Sequence, residues 1–166
     1  MVVLLAMFAL YRTTAPAPPE AAEPTTTTAT TTTTHQTAPP RFTDKEISMI
    51  ELVVMNEVGH CSEASKIAVA NVILNRVDSA NFPNTVKEVV YAKNQFSAAY
   101  GSLKPDKSTR AAVRKALDGE DNSMGAVYYY APRYVHDRQV IAWFEGLHYL
   151  FELDGQRYFK IRRNCK

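Results

Sequence analysis

The chain has 166 residues, a net charge of +2 and two cysteines. A nearly neutral chain without a basic block is not typical of nucleic-acid-binding proteins. The cysteines lack the Cys-x-x-Cys or Cys/His spacing of a zinc site, so composition points to neither a nucleic acid partner nor a bound metal. About 125 residues remain after a non-globular start, which is enough for one compact domain with a core.

The first 41 residues have the composition of an export segment and a linker. Residues 1–12 are apolar almost throughout, and are shorter than the roughly 20 residues that span a bilayer as a helix. We therefore expect a signal peptide or a truncated membrane anchor. Residues 13–41 hold six of the nine prolines, and Thr fills nine of the ten positions 25–34. Such a segment buries too little apolar area to order itself, so we expect a disordered linker that tethers a domain of residues 42–166 outside the cytoplasm.

The domain begins with a strongly patterned helix. Thr43 and Glu46 have the spacing of a capping box, and apolar residues then follow at three- and four-residue steps, which predicts one buried face. Those apolar residues are Ile47, Ile50, Val53, Val54 and Val58. Glu57 lies beside this face near the end of the helix, and Gly59 is expected to break it.

A second helix is predicted to follow at once, with Ser62 as its N-cap and a body to Val77 that is apolar nearly all round. Such a helix belongs at the centre of a fold. A carboxylate at the end of one buried helix and held against another is partly desolvated, which raises its pKa toward the range of a general acid. Glu57 is therefore a candidate acid, although periodicity alone favours a surface glutamate or a helix cap.

Two shorter helices are predicted next. Thr85 and Glu88 form a second capping box that opens a helix through Tyr91, and residues 92–107 are expected to be irregular. Ser108 is the predicted cap of the following helix. That helix is predicted to end at about Leu117. Its inward residues are predicted to be Ala111, Val113, Ala116 and Leu117.

The C-terminal part predicts a small antiparallel sheet. Residues 127–130 are aromatic and β-branched, as strands are, and residues 140–145 fit a short helix. Segments 147–153 and 156–161 flank Asp154-Gly155, a strong hairpin signal. Helices followed by such a sheet make the predicted fold class α+β.

Several short motifs occur along the domain in the order of a known family. They are Asn56-Glu57-Val58-Gly59, AVANVILNRV at 68–77, FPNTV at 82–86, NQFS at 94–97, GAVYYY at 125–130, Trp143-Phe144 and GQRYF at 155–159. The stretch from about 46 to 160 resembles the catalytic domain of cell wall hydrolases of the spore-cortex-lytic (SleB-type) family. The resemblance implies a lysozyme-like fold, with a helical lobe followed by the small sheet. It also implies an enzyme that cleaves peptidoglycan glycan strands between N-acetylmuramic acid and N-acetylglucosamine.

The resemblance assigns Glu57 the role of the acid and favours a lytic transglycosylase reaction. In that reaction Glu57 protonates the glycosidic oxygen and then, as a base, takes the proton of the muramic acid 6-hydroxyl, which closes on the anomeric carbon. The product is a 1,6-anhydromuramic end. A hydrolase would instead need a second carboxylate, at about 5 Å for retention or about 6.5–9.5 Å for inversion. Glu63, Asp78 and Asp106 are the candidates for it.

Substrate binding is predicted for a loop and for the aromatic strand. Sugar ring faces stack on aromatic side chains, while amides and hydroxyls bind the polar rim. The predicted substrate-binding residues are Gln95, Phe96, Ser97, Tyr128 and Tyr130. By strand alternation Tyr128 and Tyr130 share one face and Tyr129 takes the other; the alternative is that most of these rings are core. We expect a monomer that acts on glycan strands without a cofactor.

The sequence departs from the family pattern at two positions. Many relatives have a second glutamate four residues after the catalytic one, where this chain has Cys61, and Asn commonly follows the aromatic strand, where this chain has Ala131. Cys61 and Cys165 are also candidates for a disulfide in an exported protein. That bond would hold the C-terminus beside Glu57, and two unpaired thiols are the alternative.

Two other function classes remain open. In a metal-dependent N-acetylmuramoyl-alanine amidase, Glu57 and His60 at three-residue spacing would share a metal with His136 and His148. A non-catalytic wall-binding module is the third class. A partly buried acid at Glu57 speaks against it, because a pure binding module needs none.

Overall fold

The computed structural model describes residues 40–93, 95–96 and 101–162, so the predicted export segment and most of the predicted linker lie outside the described residues. The described helices are α1 Asp44–Val58, α2 Glu63–Val77, α3 Val86–Tyr91, α4 Lys107–Leu117 and α5 Arg138–Glu145. The strands are β1 Tyr128–Tyr130, β2 His148–Leu153 and β3 Gln156–Lys160. Four helices precede a small sheet, which confirms the α+β class. None of the helices in the described part of the chain has both the length and the apolar character that a membrane span needs.

Three predicted helix starts are confirmed by their caps. Thr43 accepts a hydrogen bond from the backbone of Glu46, whose carboxylate accepts one from the backbone of Thr43, and this completes the capping box. Ser62 caps α2 by accepting from the backbone of Ser65, and Thr85 caps α3. These side chains satisfy backbone donors that have no partner within their own helices, so they fix where each helix begins.

Helix α1 ends at Val58, and the chain turns sharply into α2. Gly59 is the C-cap in a right-handed conformation, with φ −56° and ψ −28°, so the turn does not depend on a left-handed glycine. The backbone N–H of Cys61 donates to the carbonyl of Val58 at 2.9 Å, which closes the turn. The predicted corner between the two helices is therefore confirmed.

The sheet has the order β1-β3-β2, with both pairs antiparallel. The predicted β2–β3 hairpin turns at Asp154 and Gly155, whose φ angles of 48° and 75° lie in the left-handed region that tight hairpin turns require. The Asp154 carboxylate also reaches the α1–α2 corner. There it accepts hydrogen bonds from the Ser62 backbone at 2.9 Å and the Ser65 hydroxyl at 2.7 Å, which lower the pKa of Asp154. The hairpin tip thus fastens the sheet to the start of α2.

The main core lies between α2 and the elements around it. The fully buried body of α2 packs with the inner faces of α1, α3 and α4 and with Tyr129 and Tyr158 of the sheet. At the N-terminus, Phe42 packs against this core, and Arg41, which the sequence assigned to the linker, pairs with Asp78 beyond α2. The side chains of Arg41 and Phe42 therefore both contact the domain.

A second, aromatic cluster holds α5 against the other side of the sheet. It consists of Tyr130, Val135, Val140, Phe144 and Phe159, which are all buried. The ring centroid of Phe144 lies 4.3 Å from that of Tyr130 and 5.3 Å from that of Phe159. This packing fixes the position of α5, and with it the position of Trp143.

The predicted start of α4 is wrong by two residues. The helix begins at Lys107, because the Asp106 carboxylate accepts from the Thr109 backbone at 2.7 Å and acts as the cap in place of Ser108. Asp and Ser are both good N-caps, and Asp106 lies two residues before Ser108. Of the predicted inward residues, Val113 and Ala116 are buried, whereas Ala111 is exposed and its neighbour Ala112 is buried in its place.

The ends of the remaining elements differ slightly from prediction. Helix α5 begins two residues earlier than predicted, because the Asp137 side chain accepts from the backbone of Gln139 and Val140. Strand β1 begins at Tyr128, although the Val127 N–H already donates to Phe159. Strands β2 and β3 are each one residue shorter than predicted, at the end away from the hairpin turn.

Candidate active site

Glu57 lies in the last turn of α1, next to the corner, and is half-buried. Its neighbours Val54 and Val58 belong to the buried face of α1, as the periodicity predicted. The backbone around Glu57 is therefore fixed by the core on one side and by the corner on the other. A carboxylate in this position has little freedom to move away from its neighbours.

Tyr129 makes a direct contact with Glu57. Its hydroxyl donates a hydrogen bond to Oε2 of Glu57 at 3.2 Å. The ring of Tyr129 is buried and stacks on Tyr158 with centroids 5.7 Å apart. Burial raises the pKa of Tyr129 well above its ordinary value, and the nearby charge of Glu57 raises it further. Tyr129 is thus a neutral donor at ordinary pH that holds one oxygen of Glu57 in place.

Arg76, in the last turn of α2, interacts electrostatically with the same carboxylate. Its Nε donates to the carbonyl of Val127 at 2.7 Å, just before β1. Burial lowers the pKa of Arg76 to about 10, while Tyr129, Tyr128 and Glu57 act in the opposite direction. Both α2 and the aromatic strand therefore contribute a side chain to the surroundings of Glu57.

A row of partly exposed aromatic rings lies beside Arg76. The ring of Tyr128 has its centroid 5.5 Å from Phe82 and 5.0 Å from Trp143, which meets it edge to face. All three rings are half-buried, so each keeps some open surface. We call Phe82, Tyr128 and Trp143 the aromatic row. It borders Arg76, whose guanidinium carbon is 5.5 Å from the Tyr128 centroid.

Asn56, next to Glu57, ties a loop to α1. Its Nδ2 donates to the carbonyl of Leu103 at 3.0 Å and to that of Leu52 at 2.9 Å, and its Oδ1 accepts from the Leu103 N–H at 3.1 Å. Gly101 approaches so closely that a Cβ there would overlap the Asn56 side chain. The loop before α4 is thus latched to the turn of helix that carries Glu57.

This latch predicts that Gly101→Ala destabilises the domain by about 1–3 kcal/mol, because the added methyl group must displace Asn56 or the loop. Ser102→Ala is the matched control. Ser102 is exposed in the same loop, so a change within about 0.5 kcal/mol is expected. Urea unfolding of the two variants measures the difference. Equal unfolding free energies for Gly101→Ala and Ser102→Ala would show that the loop moves to accommodate the methyl group without loss of stability.

The other predicted substrate-binding residues lie in different surroundings. Tyr128 is in the aromatic row, but Tyr130 is only 4% exposed and packs in the second cluster. Phe96 is buried in the main core, with its centroid 4.7 Å from the Arg76 guanidinium carbon. Gln95 is half-buried in the turn after α3, and Ser97 lies outside the described residues. Substrate binding by these residues stays a prediction, and the buried rings of Tyr130 and Phe96 leave a sugar little surface to stack on.

The three candidates for a second carboxylate each have another partner. Glu63 pairs with Lys115 at 2.8 Å, and Asp78 pairs with Arg41. The capping hydrogen bonds from Thr109 lower the pKa of Asp106 to about 2, so it stays ionised. Each of these carboxylates therefore serves a helix end or a surface ion pair.

The histidines and cysteines bear on the predicted metal-dependent alternative and on the predicted disulfide. His60, His136 and His148 are exposed, and no three His, Cys, Asp or Glu side chains within the described ranges lie close enough together to hold a metal ion. Cys61 is half-buried in the corner, where burial and the Asp154 carboxylate raise the pKa of its thiol. Cys165 lies outside the described residues, so the disulfide stays a prediction.

Sequence reasoning missed Tyr129 and Arg76. For Tyr129 a signal was present, because alternation placed it opposite Tyr128 and Tyr130, on the side of the sheet that faces the helices. For Arg76 the signal was a charged residue in a helix predicted to be buried nearly all round. Neither signal indicated that Tyr129 would bind Glu57 or that Arg76 would interact with it electrostatically, because these interactions join α1, α2 and β1.

The fold agrees with comparisons with known proteins. The family model Cell Wall Hydrolase matches residues 61–150 of the chain, more than half of it. The chain therefore belongs to the cell wall hydrolase family. The matched range begins four residues after Glu57, which lies outside it.

Curated relatives and solved structures make the relationship more specific. The chain is 36% identical over 97 residues to the spore cortex-lytic enzyme of Halalkalibacterium halodurans, and 33% identical over 97 residues to that of Bacillus subtilis. These alignments cover 57% of this chain but only 29% and 32% of the two relatives. The chain thus matches about a third of the length of these relatives.

Two solved structures extend the match to nearly the whole domain. The catalytic domain of Bacillus cereus SleB superposes with a TM-score of 0.65 and 28% identity, over 76% of this chain and 98% of that one. The catalytic domain of the germination-specific lytic transglycosylase SleB of Bacillus anthracis also gives 0.65, with 29% identity over 74% and 100% of the two chains. The predicted resemblance and the lysozyme-like α+β fold are confirmed.

Proposed function

We propose that this chain is an enzyme that cleaves the glycan strands of peptidoglycan between N-acetylmuramic acid and N-acetylglucosamine, as a lytic transglycosylase with Glu57 as general acid and base. The observation that carries the proposal is the half-buried Glu57 carboxylate, held by the Tyr129 hydroxyl at 3.2 Å. A fixed, partly desolvated carboxylate is what protonation of a glycosidic oxygen requires. The family and the two SleB catalytic domains support the substrate class.

The surroundings of Glu57 favour a mechanism with one carboxylate. Glu63, Asp78 and Asp106 are engaged in ion pairs or in a helix cap, which gives none of them the role of a second acid or nucleophile. In the transglycosylase reaction Glu57 gives its proton to the leaving oxygen as the bond to the anomeric carbon breaks. Its carboxylate then takes the proton of the 6-hydroxyl, whose oxygen bonds to the anomeric carbon, so Glu57 returns to its starting state without a second carboxylate.

The aromatic row is the part of the surface that best fits a sugar chain. Phe82, Tyr128 and Trp143 keep open ring surface in a row that borders Arg76, and ring faces of sugars stack on such side chains. We therefore assign sugar stacking to Tyr128, as the sequence predicted, and add Phe82 and Trp143. Tyr130 and Phe96 instead support the row and the site from within the core.

Action on peptidoglycan implies a location outside the cytoplasm. Residues 1–12 would serve as a signal peptide or membrane anchor and residues 13–41 as a tether, which raises the local concentration of the domain near the wall. We propose that residues 42–166 form the catalytic domain. The Arg41–Asp78 pair then marks the point where the tether joins it.

Digestion of purified peptidoglycan tests the proposed function. The expected result is release of muropeptides with newly formed glycan ends and no new free amino groups from cleaved stem peptides. The digestion should continue in EDTA, since the proposed reaction uses only side-chain chemistry. A metal-dependent amidase would release stem peptides, stop in EDTA and recover with zinc, and binding without release would support a wall-binding module.

A further inference from the structure

Arg76 is buried far more deeply than its place in α2 requires. A cation in the last turn of a helix interacts favourably with the helix dipole, but an exposed side chain is sufficient for that. Arg76 is instead only 3% exposed. Transfer of a charged group into the protein interior is unfavourable unless an opposite charge and hydrogen bonds compensate for it. Its burial therefore calls for a compensating partner.

The guanidinium is enclosed by aromatic rings and one backbone carbonyl. Its carbon lies 4.7 Å from the centroid of Phe96, 5.3 Å from Phe82 and 5.5 Å from Tyr128. Nε donates to Val127 at 2.7 Å, while buried Nη1 has no hydrogen-bond partner in the part of the chain that the structure describes. The rings supply cation–π attraction, but they carry no net charge.

The titratable groups that face Arg76 come from two elements. Tyr128 and Tyr129 belong to β1, and Glu57 belongs to α1. Burial raises the pKa of both tyrosines, so both are neutral at ordinary pH. Arg76 stays protonated, with a pKa of about 10. Of these three facing groups, Glu57 is thus the one that carries a negative charge when ionised.

We propose that Arg76 is a positioning residue that stabilises the ionised form of the Glu57 carboxylate from within the core. Two observations support this role: the fixed position of Arg76 and the hydrogen bond from Tyr129 to Glu57. Arg76 is fastened to Val127 and packed on Tyr128, and the next residue, Tyr129, donates to the Glu57 carboxylate. The buried cation and the hydroxyl therefore both favour negative charge on Glu57.

The inference deepens the proposed function and rests on it for its catalytic meaning. When Glu57 gives its proton to the glycosidic oxygen, the C–O bond breaks and a carboxylate remains. A fixed positive charge nearby stabilises that carboxylate as it forms, and it costs no reorganisation because Arg76 is already in place. Arg76 thereby makes Glu57 a stronger acid than burial alone would allow.

The test is a direct titration of Glu57 by NMR of carbon-labelled glutamate side chains, in which Glu57→Gln identifies the signal. Removal of the charge in Arg76→Gln is expected to raise the pKa of Glu57 by about one pH unit or more, as loss of a close opposite charge does. Arg76→Lys keeps a positive charge and is expected to leave the midpoint within about half a unit of wild type.

Arg110→Gln is the matched control. Arg110 is an exposed arginine whose Nε lies 3.7 Å from Glu51 of the same helix α1. Its removal is expected to leave the titration of Glu57 unchanged, because exposed charges are screened by water. An unchanged Glu57 midpoint in Arg76→Gln would overturn the proposal. So would equal shifts in Arg76→Gln and Arg110→Gln, since net charge would then explain the effect.

Wild-type protein provides a second measurement if Arg76→Gln does not fold. Salt screens exposed charges strongly and buried pairs weakly. The Glu57 midpoint is therefore expected to move less between low and high salt than the midpoints of the exposed glutamates. A shift as large as theirs would show that surface charge sets the ionisation of Glu57, and the proposal would be wrong.

The pH dependence of glycan cleavage distinguishes failure of this inference from failure of the proposed function. Glu57 must be protonated to act as an acid, so activity falls as the pH rises through its pKa. In Arg76→Gln this alkaline limb is expected to move to higher pH by the same amount as the NMR midpoint. A shifted midpoint in a protein that cleaves no glycan would overturn the proposed function alone, whereas glycan cleavage with an unshifted midpoint would overturn only the role of Arg76.

Discussion

Glu57→Gln is expected to lower the rate of muropeptide release by at least about a hundredfold, the lower range for loss of a general acid. Gln has nearly the same shape as Glu, and its carbonyl oxygen can still accept the hydrogen bond from the Tyr129 hydroxyl. The fold should therefore survive, with a melting temperature close to that of wild type. The rate loss would come from the missing proton rather than from a damaged site.

Glu51→Gln is the matched control for this experiment. Glu51 lies on the same helix, and its side chain is also largely buried, with 17% exposed and Oε2 at 3.7 Å from Arg110. The same chemical change at this position should leave activity near the wild-type level. Wild-type activity in Glu57→Gln, or an equal loss in both variants, would remove Glu57 from the catalytic role.

Phe144→Ala is expected to cost about 3–5 kcal/mol of unfolding free energy, the usual range for removing a buried aromatic ring. Phe144 is fully buried and contacts Tyr130, Phe159 and Trp143 at centroid distances of 4.3, 5.3 and 5.0 Å. The cavity would loosen α5 from the sheet. Because α5 carries Trp143, we also expect KM for glycan strands to rise at temperatures where the variant is folded.

Tyr149→Ala provides the comparison for the second cluster. Tyr149 is 51% exposed on β2, and its ring meets Phe159 from outside. Its removal should cost less than about 1 kcal/mol. Similar unfolding free energies for the two variants, measured with urea, would show that the second cluster contributes little to stability.

Much of the fold follows from local rules in the sequence. The caps at Thr43, Ser62 and Thr85 were predicted because their hydrogen bonds are made within four residues. The Asp154-Gly155 turn was predicted because its left-handed φ angles favour those residue types. The cap of α4 was missed because Asp106 and Ser108 are both good caps, and the choice between them depends on which donor geometry the surrounding loop provides.

The site was harder to predict than the fold. Glu57 was identified from its motif and its position beside an apolar face. Its hydrogen bond with Tyr129 joins residues 72 positions apart, its electrostatic interaction with Arg76 joins α1 and α2, and no local sequence pattern reports such pairings. The aromatic residues show the same limit. Alternation separated Tyr129 from Tyr128 and Tyr130 correctly, but the burial of Tyr130 depends on α5, which packs on it from a later part of the chain.

Cys61 occupies a position at which the sequence departs from the family pattern, and the structure shows what surrounds it. The resemblance implies a glutamate at this position, and in this chain the thiol lies in the corner near Asp154, which already accepts from Ser62 and Ser65. A carboxylate therefore does stand at this corner, supplied by Asp154 of the hairpin rather than by residue 61. Its hydrogen bonds hold α2 in place, and we assign it a structural role.

The most direct test of the central claim is mass spectrometry of the glycan ends produced in water labelled with the heavy isotope of oxygen. If Glu57 alone carries both proton transfers, the muramic acid ends are 1,6-anhydro, lighter by one water than reducing ends and free of the label. The Glu57→Gln variant should produce neither kind of end. Labelled reducing ends would contradict the one-carboxylate mechanism, because they require a water molecule activated by a second group.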